Sequence, residues 1–171
     1  MLPISVCIPV LNEEKNLPGC LESLKGKFSD VVIVDSGSSD ATLSIAEKAN
    51  LTVLSFKWNG AFPKKRNWAL QNHSFKHEWV LFLDADERIT PAFLDELKSK
   101  LDSKMVGFWL RYDNWFMDRQ LHHGDVMRKL ALFKPEAGEY ERFPEDFWSH
   151  LDMEVHEHPV LNGPTEEIFS P

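Results

Sequence analysis

Cysteine is nearly absent: Cys7 and Cys20 are the only two in 171 residues. A chain of this length can bury a proper core without covalent staples, which excludes a disulfide-framed scaffold. The two cysteines are read as one buried strand thiol and one helix thiol in a reducing compartment. Also missing is any apolar run near the roughly 18 residues that a membrane-spanning helix needs. The apolar stretch over residues 4–10 is broken by Ser5 and follows no basic leader, which argues against a cleavable signal peptide. A cytoplasmic location is therefore expected, with peripheral contact at the inner face of a membrane left open. Positive charge is scarce, with 19 Lys and Arg against 27 Asp and Glu and a formal net charge of −8. Such a surface opposes general attraction to nucleic acid, although local basic spots at an anion site remain compatible with it. Long like-charge runs, internal repeats, low-complexity segments and linkers are absent, so neither disorder nor a modular array is expected.

What is present is globular: 43% hydrophobic and 12% aromatic residues, enough for one ordinary domain and too few for two comfortable ones. The chain is organised around residues 78–87, EWVLFLDADE. Trp79, Val80, Leu81, Phe82 and Leu83 form an unbroken apolar run of strand length, as expected for a strand covered on both faces. It delivers Asp84 and Asp86 to its carboxyl end, where open α/β sheets bind ligands. Paired oxygen ligands suit a hard divalent ion such as Mg²⁺ or Mn²⁺, and such an ion suits a diphosphate. A solvated acidic turn is the other reading of the same two residues.

The remaining pattern places that strand in an alternating fold. Residues 4–10 read as a first buried strand, with Pro9 near its end, followed by the loop Asn12-Glu13-Glu14 and a helix to about residue 24 capped by Asn16. Residues 30–35 read as a second strand ending in Asp35, then the small turn Ser36-Gly37-Ser38-Ser39. Asp40 caps a helix to about residue 49 with Leu43, Ala46 and Ala49 inward. A strand-end carboxylate beside a Gly/Ser turn places Asp35 to accept hydrogen bonds from a sugar or base. Residues 51–56 form a third strand, and a helix over 64–72 opens with Lys64, Lys65 and Arg66. Cations there oppose the helix dipole, which makes sense if one of them meets an anion; Arg66, with its planar fork, is the choice, and a merely solvated basic turn is the alternative. Thr90 and Pro91 start a further helix striped by Phe93, Leu94, Leu97 and Leu101. The order β-α-β-α-β-α-β-α predicts a Rossmann-like, mostly parallel sheet with helices on both faces.

From residue 105 the texture changes to a mixed-strand part. Residues 106–112 and 126–133 are strand-like, and the aromatic loop between them, with Trp115, Phe116, Met117, His122 and His123, reads as an acceptor-binding flap. Residues 152–158 alternate as a strand. There His156 and His158 form either a polar strand face or a metal pair.

Four motifs in this order, Ser5 to Glu14, Val34 to Thr42, Lys65-Arg66-Asn67 and Leu83-Asp84-Ala85-Asp86, together resemble the family-two inverting GT-A glycosyltransferases. The resemblance is firm over residues 1–101 and loose beyond. Arg128 to Phe133 followed by Val155-His156-Glu157 narrows it towards the lipopolysaccharide inner-core glucosyltransferase branch. It implies a single GT-A domain whose residues 1–101 bind a nucleotide-diphosphate sugar, usually a UDP-sugar, with Mg²⁺ or Mn²⁺, while residues 102–171 serve a saccharide or lipid-linked acceptor. By the motif match Pro9 and Glu13 border the nucleotide, Asp35 contacts the base, Arg66 lies by the nucleotide, Asp84 approaches the ribose and Asp86 holds the metal. The general base belongs on the acceptor side, hence in the later half; Glu157 is expected, with Asp146 and Glu154 as runners-up. Members of this branch usually continue past the position of Pro171 with a further histidine and a helical tail, so a truncated chain or a short natural form is expected. Two other functions compete: a sugar-nucleotide-binding module without catalysis, and a metal-dependent phosphatase using the two aspartates.

Overall fold

The computed structural model describes residues 1–101, 104–117, 119–121, 123, 126–144, 151–152 and 157–171. In chain order the elements are β1 (Leu2–Val10), α1 (Leu17–Leu24), β2 (Phe28–Asp35), α2 (Thr42–Lys48), β3 (Thr52–Ser55), α3 (Lys65–Asn72), β4 (Trp79–Phe82) and α4 (Pro91–Lys100). There follow β5 (Gly107–Arg111), β6 (Trp115–Phe116), β7 (Arg119–Gln120), β8 (Arg128–Phe133), a 3-10 turn Pro135–Ala137, β9 (Gly138–Tyr140), β10 (Pro159–Leu161) and β11 (Thr165–Ile168). One seven-stranded sheet in the order β11-β5-β8-β4-β1-β2-β3 collects strands from both halves of the chain. Its β1 to β4 section is parallel, β8 runs antiparallel to both β4 and β5, and β11 closes the edge parallel to β5. The mostly parallel α/β sheet read from the alternation is therefore present, and so is the mixed part after residue 105.

The period of two along each strand sorts its side chains between two cores. Leu81 of β4 packs with Ile4, Val6 and Ile8 of β1 beneath α1, α2 and α4, which supply Leu17, Cys20, Leu24, Ala46, Phe93 and Leu97. Val80 and Phe82 point the other way and join Cys7, Val34, Phe133 and Tyr140 beneath Ala69 of α3. Burial on both faces explains why β4 reads as an unbroken apolar run. Cys7 and Cys20 are both buried and free, and burial pushes each thiol up to about 12, so neither is a reactive thiolate at neutral pH.

Asn67, one residue after Arg66, is buried and fastens β9 to α3. Its Nδ2 donates to the Tyr140 carbonyl at 2.9 Å, and its Oδ1 accepts from the Tyr140 N–H at 2.9 Å. Replacing it with alanine leaves two buried backbone groups unpaired. Asn67→Ala is expected to lose about 2–4 kcal/mol of stability in a chemical-denaturation titration. A loss well under 1 kcal/mol would show that β9 does not depend on this side chain.

Several local expectations are corrected. Asn16 is not a side-chain cap: its own backbone is helical, and its Nδ2 donates to Glu13 Oε2 at 2.9 Å instead. Asp40 does accept from the Thr42 N–H at 2.9 Å, but the residue at the helix boundary is Ala41, and Ala49, one residue past the end of α2, is exposed. The basic turn at the start of α3 is not solvated. Lys64 and Lys65 are buried; Lys64 Nζ donates to the Leu151 carbonyl at 3.0 Å, and Lys65 Nζ meets Asp152 Oδ2 at 3.1 Å and the Val10 carbonyl at 3.2 Å. The aromatic loop holds a small antiparallel hairpin, β6 with β7. Of the strand expected over 152–158, residues 153–156 lie outside the described residues. The regular structure near it is β10, paired antiparallel with β9.

Candidate active site

A cleft of about 870 Å³ opens at the carboxyl ends of β1 and β4 and is closed on its far side by the end of β5 and by Met127 and Lys129. That volume falls within the roughly 300–1,000 Å³ of ordinary ligand pockets. Of the residues expected at a site, Pro9, Glu13, Arg66, Asp84 and Asp86 all line it. Asp35 and Glu157 do not.

The acidic turn is built by its own backbone. Leu83 N–H donates to the Cys7 carbonyl at 3.0 Å, which prolongs the pairing of β4 with β1 up to the aspartates. Glu87 N–H then closes on the Asp84 carbonyl at 2.9 Å, and Glu87 Oε2 accepts from the Asp84 N–H at 3.0 Å. The turn holds the two aspartates in unlike settings. Asp84 is about two-thirds buried and bridged by cations: Oδ1 takes Arg66 Nη2 at 3.3 Å and Oδ2 takes Lys129 Nζ at 2.5 Å. Asp86 is exposed, and among the described residues no hydrogen bond or ion pair engages its carboxylate.

Lys129 also reaches Glu87 Oε1 at 2.6 Å, so one ammonium ties two carboxylates together. Burial pushes Asp84 up, but the charges of Lys129 and Arg66 outweigh it and hold the carboxyl below its ordinary value. Glu87 is pushed up instead, by burial first and by the Asp84 charge second, with Lys129 offsetting only part. Lys129 is itself raised, since Glu87 and Asp84 overcome the opposing effect of its burial. Arg66 extends the network away from the cleft: Nη1 donates to Glu157 Oε1 at 2.7 Å, and the guanidinium lies 5.3 Å from the Tyr140 ring centre. Its Nε is buried without an acceptor among the described residues.

The donor-side loops interlock. Asn12 adopts a left-handed backbone, which asparagine tolerates, and its Oδ1 accepts from the Ser39 N–H at 2.8 Å. Glu13 N–H donates to Thr42 Oγ1 at 2.8 Å, so the loop carrying Glu13 rests on the turn after β2. Asp35 is buried at the base of that turn, accepting from the Gly37 N–H at 2.8 Å, the Ser38 N–H at 3.1 Å and the Ser38 hydroxyl at 2.5 Å. Ser36 and Lys65 both hold Asp152, which joins the cleft lining from the later part of the chain. Glu157 is buried against Arg66 beside Phe62, Lys64 and Asn67. Asp146, Glu154 and His156 lie outside the described residues, and His158 is exposed.

Sequence reasoning missed Glu87, Lys129 and Asp152. Glu87 was within reach, three residues after Asp84 and so able to close a turn on it. Lys129 left one signal, a cation alternating with apolar Ala131 and Phe133 on one side of its strand. Asp152 left none, since its partners are 87 and 116 residues away in sequence.

The donor set at the turn fits a hard divalent ion in one manner. Among the described residues no three side chains could hold a metal unaided. One open carboxylate, Asp86, beside a cleft wide enough for a diphosphate is the arrangement in which substrate phosphates and water complete the coordination, as is usual for Mg²⁺.

Fold and site together define an α/β ligand-binding domain, with strand-end carboxylates over an open cleft. The Glycosyl transferase family 2 profile matches residues 5–156, and the chain belongs to that family. It is 29% identical to the lipopolysaccharide core biosynthesis glycosyltransferase LpsC of Rhizobium meliloti, over 95% of this chain and 58% of that protein. It is 37% identical, over its whole length and 27% of the relative, to the poly(ribitol-phosphate) beta-N-acetylglucosaminyltransferase TarS of Staphylococcus aureus. A crystal structure of S. aureus TarS 1-349 shares the fold, with a TM-score of 0.63 at 24% identity over 88% of this chain and 53% of that one. The chain thus spans a quarter to somewhat over half the length of these relatives.

Proposed function

We propose that this chain is a single GT-A catalytic domain that moves a sugar, with inversion, from a nucleotide-diphosphate donor to a saccharide or lipid-linked acceptor in cell-surface glycan synthesis. The observation that carries this reading is the convergence of Pro9, Glu13, Arg66, Asp84 and Asp86 on one cleft at the carboxyl ends of the parallel strands. The donor is a UDP-sugar by family resemblance. Asp86 holds Mg²⁺ or Mn²⁺, and the ion, when bound, neutralises the charge that builds on the leaving diphosphate. Asp84, fixed on both oxygens, accepts a ribose hydroxyl, and Arg66 sets its orientation. Asp35 organises the turn against which the base lies. Residues 1–101 serve the donor and the later part serves the acceptor. The proton of the attacking hydroxyl goes to a carboxylate of that later part. Glu157 can take that role only by exchanging its pairing with Arg66, and we assign it instead to positioning Arg66.

The names of LpsC and TarS, which act on lipopolysaccharide core and on poly(ribitol-phosphate), support a surface-glycan acceptor. No helix among the described residues is long and apolar enough to cross a membrane. Exposed apolar side chains gather at the cleft mouth and the neighbouring hairpin, Trp115 at 65% and Met117 at 81% exposure. They favour an acceptor presented at a lipid surface, with this domain acting at the inner face of the membrane. A phosphatase using the two aspartates would need Asp84 open as well as Asp86, whereas Asp84 has both oxygens in ion pairs.

The test is incubation with UDP-sugars, Mn²⁺ and glycan acceptors, following free UDP, free phosphate and product. Release of UDP with transfer is expected. Phosphate release would favour the hydrolase, and binding without either product would favour a non-catalytic module.

A further inference from the structure

Lys129 stands on β8, where its backbone pairs with Leu110 of β5, and its ammonium crosses into the cleft 5.3 Å from the Tyr112 ring centre. It sits 2.5 Å from Asp84 Oδ2 and 2.6 Å from Glu87 Oε1. Two carboxylate oxygens from different residues therefore converge on one cation. Neither carboxylate is free to turn away. The other oxygen of Asp84 is held by Arg66 at 3.3 Å, and the other oxygen of Glu87 accepts the Asp84 N–H at 3.0 Å. Two residues along the turn, exposed Asp86 has no ion pair among the described residues.

We propose that Lys129 is a tethered counter-ion filling a cation position between Asp84 and Glu87, so that a divalent ion enters the cleft only together with a diphosphate. The inference rests on the reading of the cleft as a metal-assisted nucleotide-sugar site. A free divalent ion is repelled by the ammonium and finds Asp86 as the one open carboxylate of the acidic turn among the described residues, which holds it weakly. A diphosphate supplies the missing oxygens and the negative charge. By linkage, the factor by which UDP raises Mn²⁺ affinity equals the factor by which Mn²⁺ raises UDP affinity. Lys129 enlarges that factor by suppressing the nucleotide-free arm. The side chain is only about one-third exposed, which keeps its ammonium from swinging into solvent as a surface lysine does.

The test is Mn²⁺ titration followed by electron paramagnetic resonance, with and without UDP, on the unmutated protein, Lys129→Met and Lys129→Gln, each checked for folding by thermal denaturation. In the unmutated protein UDP should raise Mn²⁺ affinity strongly. In the variants, Mn²⁺ affinity without nucleotide should rise by about tenfold or more, because the like charge next to the site is gone and two carboxylates are released. Adding Glu87→Gln to Lys129→Met should reverse the gain. A folded variant whose nucleotide-free Mn²⁺ affinity matches the unmutated protein overturns the proposal. If neither variant folds, the unmutated protein decides: Mn²⁺ bound as tightly without UDP as with it overturns the proposal, and an increase with UDP sustains it. Absence of any UDP binding in the unmutated protein, with or without Mn²⁺, would instead sink the nucleotide-sugar reading itself.

Discussion

Asp86→Ala is expected to leave the fold intact and to remove the dependence of UDP binding on a divalent ion. The side chain is exposed and makes no ion pair or hydrogen bond among the described residues, so its loss should change stability by no more than about 0.5 kcal/mol. The functional effect should be large for the same reason. Asp84 has both oxygens bound by Arg66 and Lys129, and Glu87 is tied to Lys129, so no neighbouring carboxylate of the turn is open to replace Asp86. Calorimetry of UDP binding with Mn²⁺ and with a chelator should show a wide gap in the unmutated protein and none in the variant, with sugar transfer lost by about a hundredfold or more. Equal UDP affinity with Mn²⁺ and with chelator in the unmutated protein would remove the metal from the account.

Glu157→Gln addresses the other end of the same network. Arg66 is held between Glu157 at 2.7 Å and Asp84 at 3.3 Å, and the glutamate side chain is only 4% exposed. Removing its charge leaves a buried guanidinium with one carboxylate instead of two. A stability loss of about 3 kcal/mol is expected, at the low end for breaking a buried pair because Asp84 remains. Arg66 lines the cleft, so UDP affinity should fall with it, by about tenfold, and transfer should fall at least as far. The base assignment makes a different forecast: unchanged UDP affinity with transfer down about a hundredfold. Denaturation, calorimetry and a transfer assay on one variant separate the two. Intact donor binding with lost transfer would return Glu157 to the role of base, and full activity would release it from both.

Much of the donor half was determined by local pattern. An apolar run of strand length, a carboxylate at its end and a small-residue turn are short-range features, set within about ten residues, and the alternation of strands and helices constrains how they can be stacked. Local pattern alone puts Asp84 and Asp86 at the mouth of a cleft and Arg66 near an anion, the family resemblance adds Pro9 and Glu13, and all five line one cleft. The edge strand β11 could not be read in this way, because Thr165–Ile168 has two glutamates at its centre and becomes a strand only by pairing with β5. Its partner supplies the hydrogen bonds that its own composition does not favour.

Charge partners were the second thing that only the tertiary structure decided. The sequence singles out Arg66 among its cations to meet an anion but names no protein partner for Lys64, Lys65, Arg66 or Lys129, and each is engaged by a group from elsewhere in the chain: Leu151, Asp152, Glu157 and Asp84. An ion pair needs atoms within a few ångströms, whatever the number of residues between them, and the sheet order β5-β8-β4 is what brings Lys129 over the acidic turn. The sequence determined which carboxylates stand at the strand ends. The packing of β8 beside β4 and of α3 beneath β9 determined which of them is left open to a ligand, because a carboxylate already bridged by two cations has little left to offer a third.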